Sequence, residues 1–194
     1  RRQRQMCIRD RKWIERILAG DTQSFSCLVA KYEKMAYTIA LRILENREEA
    51  EEAVQDAFVK MYRALSDFHF DSKFSTWFYR IVYRTALTAL RQQRMFVSYE
   101  EAGPVDLSND EVESATALLE REDRKEMIAR TLKKLPADEA LLLTLYYLEE
   151  CSVEEICQIT ELSASNVKVK LFRGRKRFYE VLQDKMKLET ADLL

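Results

Sequence analysis

Glycine and proline are nearly missing from these 194 residues: three glycines, Gly20, Gly103 and Gly174, and two prolines, Pro104 and Pro136. That scarcity excludes collagen-like and Gly/Pro-rich disordered chains. It also argues against an all-β chain with many tight turns. The glycines do not cluster, so the chain has neither a P-loop nor a dinucleotide-binding fingerprint. No apolar run approaches the roughly 20 residues of a membrane span. The single histidine, His69, leaves little for metal or acid–base chemistry, and by itself it reads as a surface residue rather than a ligand. The four cysteines, Cys7, Cys27, Cys151 and Cys157, have no CxxC spacing and no neighbouring histidine. This argues against a zinc site, and no metal or cofactor is expected. No apolar leader opens the sequence, so a reduced, cytoplasmic protein is expected.

What the chain does have is apolar residues and charge. Apolar residues make up 47% of it, enough for a real core, and charged residues 34%, above the usual quarter. The formal net charge of −1 hides strong segregation. Five basic residues and no acid lie between Ser72 and Tyr99, and six basic residues and no acid between Ala164 and Tyr179. Between Arg94 and Arg121 there are seven acids and no base. Local basic runs favour a polyanion; solvated helix faces are the plainer alternative. The acidic stretch holds the only Gly-Pro pair, Gly103-Pro104, with Ser98, Ser108 and Asn109 around it. Turn formers of one charge sign mark a flexible linker at 96–113. The expected fold is therefore all-α: two small helical domains, at 10–95 and 114–186, joined by that linker.

The first half reads as a bundle. Residues 10–20 form an amphipathic helix with Trp13, Ile14, Ile17 and Leu18 on one side. Gly20 ends it, and Thr22 is expected to cap the next. The second helix repeats apolar residues at i, i+3, i+4 and i+7 from Phe25 to Leu44. Asn46 opens a third, with a stripe of Ala50, Ala53, Val54, Ala57, Phe58, Met61 and Leu65. Its outer face is acidic, through Glu48, Glu49, Glu51, Glu52 and Asp56, and is either solvated or a dock for a basic partner. Phe68, His69, Phe70 and Phe74 make an aromatic segment between charged residues. On the next helix, Ser75 to about Arg94, Arg80, Arg84 and Arg91 fall within an arc of about 40°. Trp77 and Thr88 flank that arc, while Phe78, Tyr79, Val82, Ala86 and Leu90 turn inward. Cations edged with aromatic rings suit a single strand or an opening duplex.

The second half contains a helix-turn-helix pattern. A helix from Val112 to Lys134 stops at Leu135-Pro136, and a leucine-rich helix, Ala137 to Leu148, follows. Ser152 and Glu155 fit a capping box that opens a helix through Ile156, Cys157 and Ile159, with Cys157 expected in the core. The turn Glu161-Leu162-Ser163 leads into a helix from Ala164 to about Lys185. There Val167, Leu171, Gly174 and Phe178 face inward, and Asn166, Lys170, Arg173 and Arg177 share a face away from them. Such a helix offers side chains to a major groove. An ordinary helical hairpin is the alternative.

These residues carry a resemblance. The run from Glu49 to Phe58, EAEEAVQDAF, resembles the polymerase-docking segment of sigma factors, and FSTWFYRI from Phe74 to Ile81 the promoter-melting segment. Leu135-Pro136, Glu155-Ile156, Ser163, Asn166-Val167-Lys168 and Arg173-Gly174-Arg175 resemble the reader of the upstream promoter element. Their order and spacing over roughly residues 10–186 resemble the two-domain extracytoplasmic-function (ECF) sigma factors. The resemblance implies a non-enzymatic initiation factor with core RNA polymerase, promoter DNA and an anti-sigma factor, commonly a membrane-linked one, as partners. It implies polymerase docking through Glu51, Glu52, Gln55, Asp56 and Phe58. It implies reading of a melted −10 strand by His69, Phe70, Lys73, Trp77, Arg80 and Arg84. It implies −35 duplex reading by Ser165, Asn166, Lys168, Lys170, Arg173 and Arg177. The acidic linker would run through the polymerase cleft toward the RNA exit path. Three positions depart from the family pattern: Arg84 stands where Asn is common, Thr88 where Asp is, and Glu161 where the turn usually has Gly. A side chain at that last position costs something if the backbone is left-handed.

Two rivals remain at this stage. One is an autonomous helix-turn-helix regulator that needs no polymerase, for which a dimer face or ligand pocket is expected. The other is a helical hydrolase using Glu48, Glu49, Glu51, Glu52 and Asp56 as metal ligands. Such a site is normally shared by two facing helices, whereas these acids crowd one outer face.

Overall fold

A computed structural model describes the backbone of residues 2–97 and 119–191 and the side chains of residues 8–93 and 126–183. The chain is all-α; no strand occurs among the described residues. The first half holds α1 (Arg2–Leu18), α2 (Thr22–Leu44), α3 (Arg47–Arg63), a 3-10 turn (Leu65–Asp67) and α4 (Phe74–Val97). The second holds α5 (Leu119–Lys133), α6 (Ala137–Leu143), α7 (Val153–Thr160) and α8 (Ala164–Ala191). Residues 96 and 97 still belong to α4; the rest of the expected linker, 98–113, lies outside the described residues.

The apolar stripes do what their spacing predicts. Leu28, Tyr32, Ala36, Ile39, Ala40 and Leu44 of α2 are buried, and so is the whole α3 stripe from Ala50 to Met61, with Leu65 beyond it. Helix α2 packs against α1, α3 and α4, and the stripe of α4 (Phe78, Tyr79, Val82 and Ala86) closes the bundle. Three details differ from expectation. Asp21, not Thr22, caps α2: its Oδ1 accepts from the Gln23 and Ser24 amides at 3.0 and 3.3 Å. The Ser24 hydroxyl and the two amides hold the Asp21 carboxyl below its usual range. Leu18, expected on the apolar side of α1, is exposed. Phe68 and Phe74 are buried rather than displayed. They join Trp77 in an aromatic cluster with centroids 5.0–5.6 Å apart.

In the second half, α8 lies against α5, α6 and α7. Gly174 sets the closest approach: a Cβ there would stand 3.2–3.3 Å from Leu143 and Glu139 of α6. The leucine-rich helix runs on past Leu143, but Thr144–Leu148 widens into a π-turn, with the Glu149 amide donating to the Thr144 carbonyl. That wider turn leaves Tyr146, Tyr147 and Leu148 exposed, while Leu141, Leu142, Leu143 and Leu145 stay buried. The capping box at Ser152 and Glu155 is complete. Cys157 is only half-buried against the core, and Cys151 is the buried thiol, pushed up to about 12 by burial and nearby carboxylates.

The two halves touch. Helix α4 packs on α7, and α2 on α6. The Tyr79 hydroxyl donates to Glu149 Oε2 at 2.8 Å, and the Arg42 guanidinium donates to the Leu132 carbonyl at 3.2 Å. Burial raises the Tyr79 hydroxyl and the Glu149 carboxyl above their usual ranges and lowers Arg42.

Candidate nucleic-acid interface

Three charged faces stand out of this framework. The first is the outer side of α3. Asn46 caps that helix by accepting from the Glu49 amide, and Glu48 and Glu49 complement the positive end of its dipole. Glu48, Glu51, Glu52, Gln55 and Asp56 are exposed, with Val59 and Tyr62 beyond them, each 48% exposed. Two residues do not belong to this face. Phe58 is buried against Phe78, centroids 4.8 Å apart, because its position falls on the apolar stripe. Glu49 turns to α4, where its Oε1 accepts from Gln93 at 3.0 Å.

The second face runs from the loop before α4 along that helix. His69 and Phe70 are exposed. Phe70 takes a left-handed φ of 60°, and the Arg11 guanidinium lies 4.8 Å from its ring centre. Trp77 is half-buried on Phe68 and Phe74. Arg80 and Arg84 project from the other side of the helix from buried Tyr79 and Val82. The cations are not bare. Lys73 Nζ lies 2.8 and 3.1 Å from the Glu155 carboxylate oxygens. Arg80 Nη2 is 3.5 Å from Glu161 Oε1, and Arg84 reaches the same oxygen through Nε at 2.8 Å and through Nη2. Those hydrogen bonds, Arg84 first, hold the Glu161 carboxyl below its usual range. Thr88, the third departure, donates its hydroxyl to the Arg84 carbonyl at 2.9 Å.

The third face is the outside of α8. Ser163 accepts from the Asn166 amide and caps the helix. Ser165, Asn166, Lys168 and Arg173 are exposed. Lys170 and Arg177 depart from the shared outward face expected of them. Lys170 pairs with Asp138, and Arg177 Nη1 reaches Glu139 Oε1 at 3.1 Å, so both lean back on α6. Burial is the largest single influence on the Asp138 carboxylate and works against its charge, but the bond and charge of Lys170 and the backbone hydrogen bonds of Glu139 and Asp138 together hold it below its usual range. The most outward line of α8 instead runs through Ser165, Val169, Phe172 and Lys176, with Phe172 65% and Val169 46% exposed. Val169 and Phe172 carry no charge to mark them; the signal for them, and for Lys176, is their helical angle opposite Val167 and Leu171. Nor does the sequence mark Glu149, Glu155 and Glu161 as partners of α4. No local pattern links residues 70 to 82 positions apart.

Among the described residues no group of three or more His, Cys, Asp or Glu side chains is placed to hold a metal ion, and no helix is long and apolar enough to cross a membrane.

Known proteins share this arrangement. Residues 28–95 match the family model for sigma-70 region 2, and residues 125–178 that for sigma-70 region 4. The chain is 32% identical over 181 residues to the RNA polymerase sigma-H factor of Pseudomonas aeruginosa, covering 90% of this chain and 94% of that protein. It is 30% identical over 176 residues to the ECF RNA polymerase sigma-E factor of Escherichia coli, covering 87% and 92%. The fold is similar to RpoE of Bartonella quintana, solved with the anti-sigma factor NepR: TM-score 0.67, 18% identity, 83% of this chain and 98% of that one. It is also similar to CnrH, solved with the cytosolic domain of CnrY: TM-score 0.59, 21% identity, 91% and 98%.

Proposed function

The chain belongs to the ECF group of sigma-70 factors, and from there we propose that it docks on core RNA polymerase and reads a promoter at two places. A region 2-like unit at 10–95 binds polymerase and the −10 element, a linker occupies 96–113, and a region 4-like unit at 114–186 binds the −35 element. The outer face of α3, through Glu51, Glu52, Gln55 and Asp56, docks on a basic surface of polymerase, with Phe58 holding the helix from behind. The loop from His69 to Lys73, with Trp77, Arg80 and Arg84, holds the melted −10 strand. Unstacking a base costs a few kcal/mol, which a flat aromatic surface beside cations offsets. Ser165, Asn166, Lys168 and Arg173 meet the −35 duplex in its major groove, with Lys170 and Arg177 free to swing from α6 to phosphates. The protein has no catalysis of its own and acts in the cytoplasm, where polymerase is. An anti-sigma factor holds it inactive; RpoE of Bartonella quintana, of similar fold, was solved with the anti-sigma factor NepR.

The observation that supports this most is the sorting of one helix set. Acids of α3 and cations of α4 and α8 stand outward, while the inward stripes of the same helices, such as Ala50–Met61, Phe78–Ala86 and Val167–Leu171, are buried. Size-exclusion chromatography with bacterial core polymerase at two salt concentrations tests it. Wild type co-elutes, and Asp56→Arg does not while keeping its helical circular dichroism. Failure of the wild type to co-elute, together with specific duplex binding alone, would instead establish an autonomous regulator.

A further inference from the structure

We propose that the closed chain covers its own −10 surface with carboxylates while leaving its −35 surface open. Glu155 and Glu161 occupy, on Lys73, Arg80 and Arg84, the place that phosphates of a single strand would take. This rests on the reading of α4 given under Proposed function.

The two acids come from the two ends of one short helix. Glu155 is the third residue of α7, and Glu161 is the residue just past its end. They are six positions apart, about 9 Å along the axis, so they meet α4 at separate points. Glu155 takes Lys73, and Thr76 also donates to it at 3.5 Å. Glu161 takes Arg80 and Arg84. Neither carboxylate owes its position to chance rotamers. Glu155 Oε2 also accepts from the Ser152 amide at 2.8 Å, so the capping box aims it. Glu161 sits at a left-handed φ of 62°, which fixes the direction of its Cβ. The anionic pair is therefore built by α7 itself and presented to α4 when the halves pack.

Closure does not treat the two DNA surfaces alike. Ser165, Asn166, Lys168 and Arg173 are exposed in the same closed chain. A duplex can approach α8 while a single strand must first displace two carboxylates from α4. The two arginine pairs are about half exposed and the Lys73–Glu155 pair is part-buried; each is modest, and together they make a latch that a stronger partner can open. The order of engagement follows: −35 duplex is accessible at once, and −10 strand only after the halves part.

The test uses the full chain and a fluorescein-labelled mixed-sequence single strand of about 20 nucleotides, at fixed salt. Glu155→Gln/Glu161→Gln removes both charges and keeps both caps, since Gln serves at the third helical position. Glu33→Gln/Glu45→Gln, exposed on the first half, is the charge-matched control. The Glu155/Glu161 variant is expected to bind the strand about threefold to tenfold tighter than the control. Its affinity for a mixed-sequence duplex should match that of the control. Equal strand affinity in the two variants would overturn the proposal. A third chain adds Lys73→Ala, Arg80→Ala and Arg84→Ala to the Glu155/Glu161 variant. Loss of the gain there supports the latch. Persistence of the gain would overturn it in a different way, by showing that the strand does not bind α4, in which case the −10 reading itself fails.

Discussion

Arg84 and Glu161 bond to each other across the two halves, 77 residues apart, with both Nε and Nη2 of the guanidinium on one carboxylate oxygen. They are also two of the three positions at which the sequence was expected to depart from the pattern it resembles. Taken singly, Glu161 reads as a cost, a side chain at a left-handed turn position, and Arg84 as one more cation on α4. Placed together, the charge of one answers the charge of the other.

Glu161 separates backbone strain from electrostatics. At φ 62° a non-glycine residue is strained. Glu161→Gly is expected to raise the stability of the chain by about 1 kcal/mol, while Glu161→Gln leaves it near wild type. Both substitutions remove the carboxylate charge that answers Arg84. Thermal melts check the difference between them, and equal melting temperatures would contradict a strained turn.

Tyr79→Phe tests the buried polar contact between the halves. The substitution strips Glu149 of its 2.8 Å donor and is expected to cost about 1–2 kcal/mol at neutral pH. Burial raises the Glu149 pKa in the folded chain. Its charge therefore disfavours the fold above that raised value, and stability from this group is full only below the unfolded value. Removing the Tyr79 donor raises the folded value further. The loss caused by Tyr79→Phe should accordingly shrink as pH falls through the carboxylate range. Denaturant melts at several pH values read this out, and a deficit that grows on acidification would refute it.

Gly174 is a packing glycine. Replacing an ordinary mid-helix glycine by alanine gains about 1 kcal/mol. Here the added Cβ meets Leu143 and Glu139 at 3.2–3.3 Å in a packed seam. Gly174→Ala is expected to show no gain, and Gly174→Val to lose about 2 kcal/mol as α8 is pushed from α6. A stabilised Gly174→Ala chain would mean that the seam has room.

Phe58 and Asp56 should fail differently. Phe58→Ala empties a core site against Phe78 and is expected to cost about 3 kcal/mol of stability. Asp56→Arg changes an exposed residue and should leave the melt within about 0.5 kcal/mol while abolishing co-elution with polymerase. A Phe58→Ala chain with a wild-type melt would return Phe58 to the docking face.

Most of the fold was legible because helices announce themselves locally. The α2 and α3 stripes, the Asn46 cap, the Ser152–Glu155 capping box and the turn at Glu161–Ser163 all rest on residues within a few positions of each other. The errors fall where two chemistries compete at one site. Asp21 outdid Thr22 because a carboxylate accepts two amides and a hydroxyl at once. Phe68 and Phe74 looked displayed because a short loop has no period from which to read burial. Lys170 and Arg177 lie on one helical face with Arg173, as their spacing says, yet the acids of α6 draw them back.

The sequence by itself determined the helices, their inward faces, the segregation of charge and the family to which the chain is similar, since each depends on residue type and near neighbours. It left open which acids meet which cations. Glu149, Glu155 and Glu161 are ordinary helix-end residues until α7 is laid on α4. Only the tertiary structure decided that Lys73, Arg80 and Arg84 of the first half pair with carboxylates of the second. The physical reason is range: capping and amphipathicity act over a turn or two of helix, whereas an ion pair between residues 77 positions apart exists only once the packing of two bundles has brought them together.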